Sequence, residues 1–278
     1  MRKSLSRRQF AATVSAAAIA AAAAGGSAWA AEESLADIIA GPQRSPANVA
    51  RDRYRRPAQA LAFFGLRDDL SVLEIDPGGG YWTEILAPYL KARGQYRAAI
   101  PPPPVNSARE LAARAGFLAK LRDNPACYGR VQVSVFSDNA PLAAPDSIDL
   151  ILSFRNLHDW MANGTAAEKL AAIYAALKPG GVFGIEDHRG LATQLQDPRA
   201  KSGYVREDYA IALIEHAGFK LAGESPIGDN PRDTKTYPKG VWTLPPVLAM
   251  GETDRAKYLA IGESDRWTLK FIKPDPQG

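Results

Sequence analysis

Residues 73–84 read Leu-Glu-Ile-Asp-Pro-Gly-Gly-Gly-Tyr-Trp-Thr-Glu. An apolar run passes two acids, Glu74 and Asp76, and enters Gly78, Gly79 and Gly80. Glycine has no Cβ, so the chain can turn sharply there and let a ligand approach the main chain. Between a strand and a helix, that is the chemistry of a nucleotide-cofactor loop; without a ligand it is only a tight turn. Further on, Arg155-Asn156-Leu157-His158-Asp159-Trp160 offers an imidazole that titrates near neutral pH, able to take a proton from a hydroxyl. It also offers an indole able to stack on a planar molecule or lie over a cation. Glu186-Asp187-His188-Arg189 sets a second imidazole beside carboxylates, a combination suited to proton transfer or metal binding. Tyr204 lies in a loop before a helical stretch and is positioned to cover a pocket. His158, His188, Asp187 and Tyr204 are therefore the candidate catalytic residues. The third histidine, His216, sits at a helix end where a cation suits the dipole. No three-histidine zinc site, and no metal, is expected.

These residues need elements to hold them. Apolar runs at Val72–Ile75, Gln95–Ile100, Val131–Val135, Ile148–Phe154, Val182–Ile185, Phe219–Leu221 and Trp267–Ile272 read as seven strands. Helical spacing marks Thr83–Leu90, Val105–Leu121 (Leu111, Leu118 and Leu121 inward), Ala166–Leu177 and Arg206–Ala217. Lys178-Pro179-Gly180-Gly181 stops the third of these. Before the first strand, Leu35–Ile39, a stretch from Ser45 with Ser45 capping and Pro46 in the first turn, and Ala58–Phe64 form a helical extension. Strand–helix alternation implies an α/β, Rossmann-like doubly wound sheet, mostly parallel, and the last two strands imply an antiparallel edge strand. Residues 227–262 are a proline-rich insertion, long for a connection and read equally as a lid or an ordered surface segment.

Residues 71–90 resemble motif I of the class I S-adenosylmethionine-dependent methyltransferases. The stretches Asp146–Ser153 and Leu177-Lys178-Pro179-Gly180-Gly181-Val182-Phe183 resemble that superfamily's fourth strand and the turn before its fifth. The resemblance spans roughly residues 70–225. It implies S-adenosyl-L-methionine as cofactor and a small-molecule methyl acceptor. It also implies cofactor contacts at Glu74, Asp76, Gly78, Gly79, Gly80, Asp138, Ser153 and Phe154. Two departures stand out. Asp76 replaces the first glycine of the motif, where its carboxylate either narrows the pocket or binds the cofactor's amino group. The second strand ends Ala99-Ile100-Pro101, without the acid that grips the ribose in the family. These departures keep open a catalytically inactive ligand-binding protein built on the same fold. A dinucleotide oxidoreductase fits less well, because it needs the same acid and Tyr81-Trp82 crowd a pyrophosphate. The mature chain is also similar to a group of exported bacterial predicted methyltransferases. That likeness rests on Arg51-Asp52, Leu61–Gly65, Phe154–Trp160, Lys201–Val205 and Gly240–Pro246.

The chain begins with Arg2, Lys3, Arg7 and Arg8, an alanine-rich run from Ala11 to Ala24, and Ala28-Trp29-Ala30. That is a signal-peptide pattern ending near residue 30. Ser6-Arg7-Arg8-Gln9-Phe10 resembles a twin-arginine signal, the alternative being an ordinary secretory one. A periplasmic or exported protein is expected, carried by the export machinery and without stable membrane insertion. Of 34 basic residues against 30 acidic, four basic ones lie in this segment. Residues 31–278, a single domain, are formally neutral, so charge gives no support to nucleic-acid binding. The one cysteine, Cys127, excludes an internal disulfide.

Overall fold

The structure is a computed structural model that describes residues 34–103, 107–137 and 140–275. The signal-peptide prediction and Asp138 lie outside the described residues. Four short helices come first: α1 (Leu35–Ala40), α2 (Pro46–Val49), α3 (Asp52–Arg55) and α4 (Pro57–Phe64). Strands and helices then alternate through β1 (Ser71–Ile75), α5 (Thr83–Leu90), β2 (Gln95–Ile100), α6 (Ala108–Asp123), α7 (Pro125–Tyr128), β3 (Gln132–Val135) and β4 (Ile148–Phe154). After them come α8 (Leu157–Asn163), α9 (Ala166–Ala176), β5 (Leu177–His188), α10 (Glu207–His216), β6 (Lys220–Ser225), α11 (Arg255–Ile261) and β7 (Arg266–Ile272).

The seven strands are ordered β3-β2-β1-β4-β5-β7-β6. Pairs from β3 to β5 are parallel, and β7 runs antiparallel between β5 and β6. From β1 the chain proceeds outward to β2 and β3, then returns to place β4 on the other side. That reversal opens a crevice at the carboxyl ends of β1 and β4.

Each face of the sheet carries its own apolar layer, and β1 serves both. Leu73 and Ile75 pack with Ile151, Leu170, Ile173 and Ile214, whereas Val72 packs with Leu61, Ile85, Leu150 and Leu152. Side chains alternate along a strand, so Glu74 projects with Val72 into the second layer. Near-complete burial of β1 and β4 is what a parallel strand covered on both faces requires.

Several expectations are corrected. The helix read from Val105 begins at Ala108, and Leu111 points outward at 45% exposure while Phe117 and Leu121 are buried. Val133 and Val135 are exposed, since β3 is an edge strand. Lys178–Gly181 do interrupt the ladder as expected. β5 is continuous from Leu177, but its register jumps from Leu177 opposite Ile148 to Val182 opposite Leu150. Among the described residues, the four between have no strand partner, and Gly180 has φ of 73°. Pro46 does occupy the first turn of α2, but the Ser45 hydroxyl caps nothing. Its N–H donates instead to Glu84 Oε2 at 3.1 Å.

Candidate active site

The loop after β1 alternates backbone hand. Asp76, Gly78 and Gly80 have φ of 44°, 55° and 83°. Glycine adopts this region freely and aspartate is among the few other residues that tolerate it, which is how Asp76 stands in a glycine position. The Asp76 N–H donates to Ala99 O at 2.8 Å, tying the loop to β2. Lys120 of α6 donates to Gly79 O at 2.8 Å and to Glu84 Oε1 at 2.6 Å, fixing the loop from above. Asn156 Nδ2 donates to Ile75 O at 3.0 Å, which joins the exit of β4 to the exit of β1. A Cβ added at Gly78 or Gly79 would meet no atom within 4 Å, so the loop borders open space.

That space is a cavity of about 610 Å³. Ile75, Asp76 and Gly78 form its β1 wall; Ile100 and Pro101 its β2 wall; Glu110 and Phe117 of α6 its roof; Asn156, Asp159 and Trp160 its β4 side. Its size falls within the range of small-ligand sites. The two bulky residues after the glycines do not plug it. Tyr81 is buried and donates to Asp52 Oδ1 at 2.5 Å, and Trp82 stacks on Phe154 with ring centroids 4.1 Å apart. The Asp76 carboxylate is walled by protein yet reached by water, and its pKa is raised by burial.

Glu74 does not open onto this cavity. It is 1% exposed and accepts hydrogen bonds from Tyr96 Oη and from Thr83 Oγ1 (3.2 Å). Burial raises its pKa to about 7, against the pull of those two donors. Ser153 is buried too, with its Oγ accepting from Asn156 Nδ2 at 3.1 Å. Phe154 lines a smaller neighbouring cavity together with Glu74. The apolar alternation of β1 and β4 turns these side chains into the layers beneath the crevice, leaving the loop backbone and Asp76 as the exposed wall.

The candidate catalytic residues meet at the carboxyl ends of β4 and β5. His158 Nδ1 lies 2.8 Å from Asp187 Oδ1, and the His158 N–H donates to Asp187 Oδ2 at 3.0 Å. The His188 N–H also donates to Asp187 Oδ1, at 2.7 Å, and His188 Nδ1 lies 2.5 Å from Ser264 Oγ. The two imidazoles are 5.1 Å apart. Burial opposes charge on both, with opposite net results. Asp187 and Asp159 outweigh it at His158, whose pKa is raised. At His188 burial is reinforced by His158, Arg155, Arg266 and Arg55, and its pKa falls well below the usual value. With Nδ1–H directed at Asp187, His158 keeps Nε2 as a base; Nε2 is 3.5 Å from Asp159 Oδ1. Asp159 lines both the large cavity and a third one of about 340 Å³, which His158, Ala162 and Trp242 also line.

Tyr204 does not cover the large cavity. It is buried, donates to Asp233 Oδ1 at 3.0 Å, and is held 6.3 Å from the His188 ring. The insertion is an ordered part of the site: Asp233 anchors Tyr204, and Trp242 lies 6.0 Å from His158. His158, Asp187 and His188 offer ligand atoms within 4.8 Å of one another. The Asp187 oxygens already accept two N–H groups and face His158, and the surrounding arginines oppose a further cation. The set is arranged to hold a proton more readily than a metal.

Sequence spacing missed Glu110, Ser264 and Asp233. Only Glu110 carried a signal, as the acid following the Ser107 N-cap of α6, whose Oγ accepts from the Glu110 N–H at 3.2 Å. It faces the cavity where β2 provides no acid.

No protein-family model matches the sequence, and no curated protein matches it. Solved structures do share the fold. A SAM-dependent methyltransferase from Aquifex aeolicus superposes with a TM-score of 0.55 at 15% identity, over 86% of this chain and 98% of that one. The [4+2]-cyclase SpnF gives 0.56 at 14% identity, over 87% and 92%. Phosphoethanolamine N-methyltransferase 2 of Haemonchus contortus, in complex with S-adenosyl-L-methionine, gives 0.53 at 16% identity, over 87% and 60%. At such identities the likeness establishes the fold, and the presence of a cyclase among the three shows that the fold alone does not fix the chemistry.

Proposed function

We propose that the chain is an S-adenosylmethionine-dependent methyltransferase acting on a small molecule in the cell envelope. One observation carries this reading: the large cavity lies open at the carboxyl edge of β1, bounded by the bare main chain at Gly78 and by the Asp76 carboxylate. The fit follows from that wall. The loop leaves room for an adenosyl group, Glu110 offers the ribose an acceptor that β2 lacks, and Asp76 opposes the cofactor's ammonium and sulfonium charges. Glu74 supports the loop from beneath.

When bound, the cofactor supplies an electrophilic methyl on a sulfonium. The chain's own residues align the acceptor and take its proton. His158 Nε2 accepts that proton, and Asp187 orients the ring and stabilises the imidazolium. The His188 N–H fixes the position of Asp187, and Ser264 holds the His188 ring, which stays neutral. Tyr204 and Asp233 support His188 from behind, which makes them positioning residues.

Native mass spectrometry of the purified chain, with and without added S-adenosylmethionine, tests the reading. An adduct of one adenosyl ligand per chain is expected. No adduct, with no thermal shift in excess cofactor, would remove it. A second reading, a binding protein with an inactive site, is favoured by Asp76 in the glycine position and by the missing acid of β2. Under it, adenosyl ligands leave the chain unaffected while another small molecule stabilises it. Export through the amino-terminal signal belongs to both readings, and cell fractionation with cleavage mapping near residue 30 checks it.

A further inference from the structure

A cavity of about 400 Å³ lies between the helical extension and the insertion, where β7 begins. It shares no lining residue with the large cavity, with the one beneath the glycine loop, or with the one beside His158. Four guanidinium groups line it. Arg53 belongs to α3, Arg56 follows that helix, Arg232 lies in the insertion, and Arg266 opens β7.

The walls are fixed in advance of any ligand. Arg266 is 1% exposed and donates to Tyr54 O at 2.7 Å, which ties β7 to α3. Asn230 Nδ2 donates to Ile261 O at 3.0 Å and to Glu263 O at 2.6 Å, and the Arg232 N–H donates to Asn230 Oδ1 at 3.2 Å. The Arg53 guanidinium lies over the Tyr54 ring, 4.6 Å from its centroid.

The two carboxylates of the lining are already engaged. Asp229 accepts from Arg189 at 2.7 Å, and Glu263 accepts from Arg51 at 2.6 Å and from Arg266 at 2.7 Å. Among the described residues, no acceptor meets the guanidinium groups of Arg53, Arg56 and Arg232. Ordinary surfaces intersperse the two signs of charge. A cleft lined by one sign instead concentrates the opposite charge. A carboxylate has two oxygens and fills one guanidinium fork. A phosphate monoester has three terminal oxygens and about −1.5 to −2 charge at neutral pH, which suits several forks. The volume is in the range of small-ligand sites, so it also holds the group that the phosphate is attached to.

We propose that this cavity binds a phosphate monoester, gripped by Arg53, Arg56 and Arg232. It stands apart from the cofactor crevice. Ser264, which holds His188, is its single residue in common with the proton-transfer cluster. The inference does not depend on the methyltransferase reading. The phosphate belongs either to a soluble ester or to a lipid headgroup, and two arms of one experiment separate these sources.

The first arm is calorimetry of the full chain at about 0.15 M ionic strength, where distant surface charges are screened. Glycerol phosphate is the probe, with glycerol and acetate as controls. The second arm is co-sedimentation with phosphatidylcholine vesicles, with and without phosphatidic acid. Glycerol phosphate is expected to bind about tenfold or more tightly than acetate, or vesicles to retain the chain only when they carry phosphatidic acid. Either result supports the site and names its source. Arg56→Gln and Arg232→Gln, both at exposed positions, should each weaken that binding about tenfold. Arg109→Gln, exposed on α6 and outside the cavity, should leave it within about twofold. Arg266 is left intact to protect folding, and circular dichroism checks each variant. No binding in either arm, acetate binding as well as glycerol phosphate, or an equal loss in Arg109→Gln would overturn the proposal. No adenosyl ligand enters these measurements, so their failure and that of the methyltransferase reading are told apart.

Discussion

The two halves of the site are built by different means. The loop half is main chain: consecutive residues 76–80, three of them at positive φ, border an open cavity. The imidazole half is side chain: His158, Asp187, His188, Tyr204, Asp233 and Ser264 arrive from separate segments and are all buried. The first half gives shape to whatever binds, and the second gives a proton a place to go. They meet at Asn156 and Asp159, at the exit of β4. The difference teaches that binding and chemistry can fail independently here, and substitutions should separate them.

The largest separation is expected from His158→Gln. Loss of a general base lowers turnover by about 100-fold or more. Adenosyl binding, measured by calorimetry, should stay within about twofold. A matching loss of binding would mean that the two halves are one unit.

Asp76→Asn sharpens the loop half. It should weaken S-adenosylmethionine about tenfold, on the scale of a charged hydrogen bond. The uncharged-sulfur product analogue S-adenosylhomocysteine should lose less, since the carboxylate opposes the cation. Equal losses would assign Asp76 to the ammonium group alone.

Glu110→Gln should weaken adenosine-bearing ligands about fivefold and reduce the preference for a 2′-hydroxyl over a 2′-deoxy analogue. Unchanged preference in competition binding would leave the ribose without a partner on α6.

Gly78→Ala has no steric neighbour, so its cost is the left-handed backbone itself, about 1–2 kcal/mol. Scanning calorimetry should show a Tm lower by about 2–8 °C. No change would mean that the loop relaxes freely.

The two histidines give the smallest effect and opposite signs. The pKa of His158 is raised, so its pairing with Asp187 stabilises fully below its unfolded pKa of about 6.5 and is lost as pH rises through the folded value. The pKa of His188 is lowered, so its contribution is present above about 6.5 and is lost as pH falls toward the folded value. Tm measured against pH should flatten on the alkaline side in His158→Gln and on the acid side in His188→Gln. The same raised pKa predicts turnover that rises with pH as His158 deprotonates.

The contrast between halves also explains what could be read in advance. The seven strands, the loop and the polar exits of β4 and β5 were legible because each is a local pattern: an apolar run, a glycine cluster, a charge after a strand. Leu111 was misplaced because α6 buries a face centred on Phe117 and Leu121. Lys178–Gly181 are legible as punctuation because a proline and a left-handed glycine break the ladder locally, and β5 pairs with β7 only from Val182 onward. Tyr204 was taken for a cover because Asp233, its partner, lies in an insertion without periodicity. Arg55 carries no local signal, because only the packing of the helical extension against the exit of β4 brings it beside Arg51 and Arg155.

The most direct test of the central claim is an equilibrium titration of S-adenosylhomocysteine into the folded chain, alongside Gly78→Trp, which fills the open face of the loop. The account predicts one ligand per parent chain and none in the variant, with far-ultraviolet circular dichroism unchanged. A well-folded parent chain that takes up no ligand, or a variant that binds as well as the parent, would contradict it.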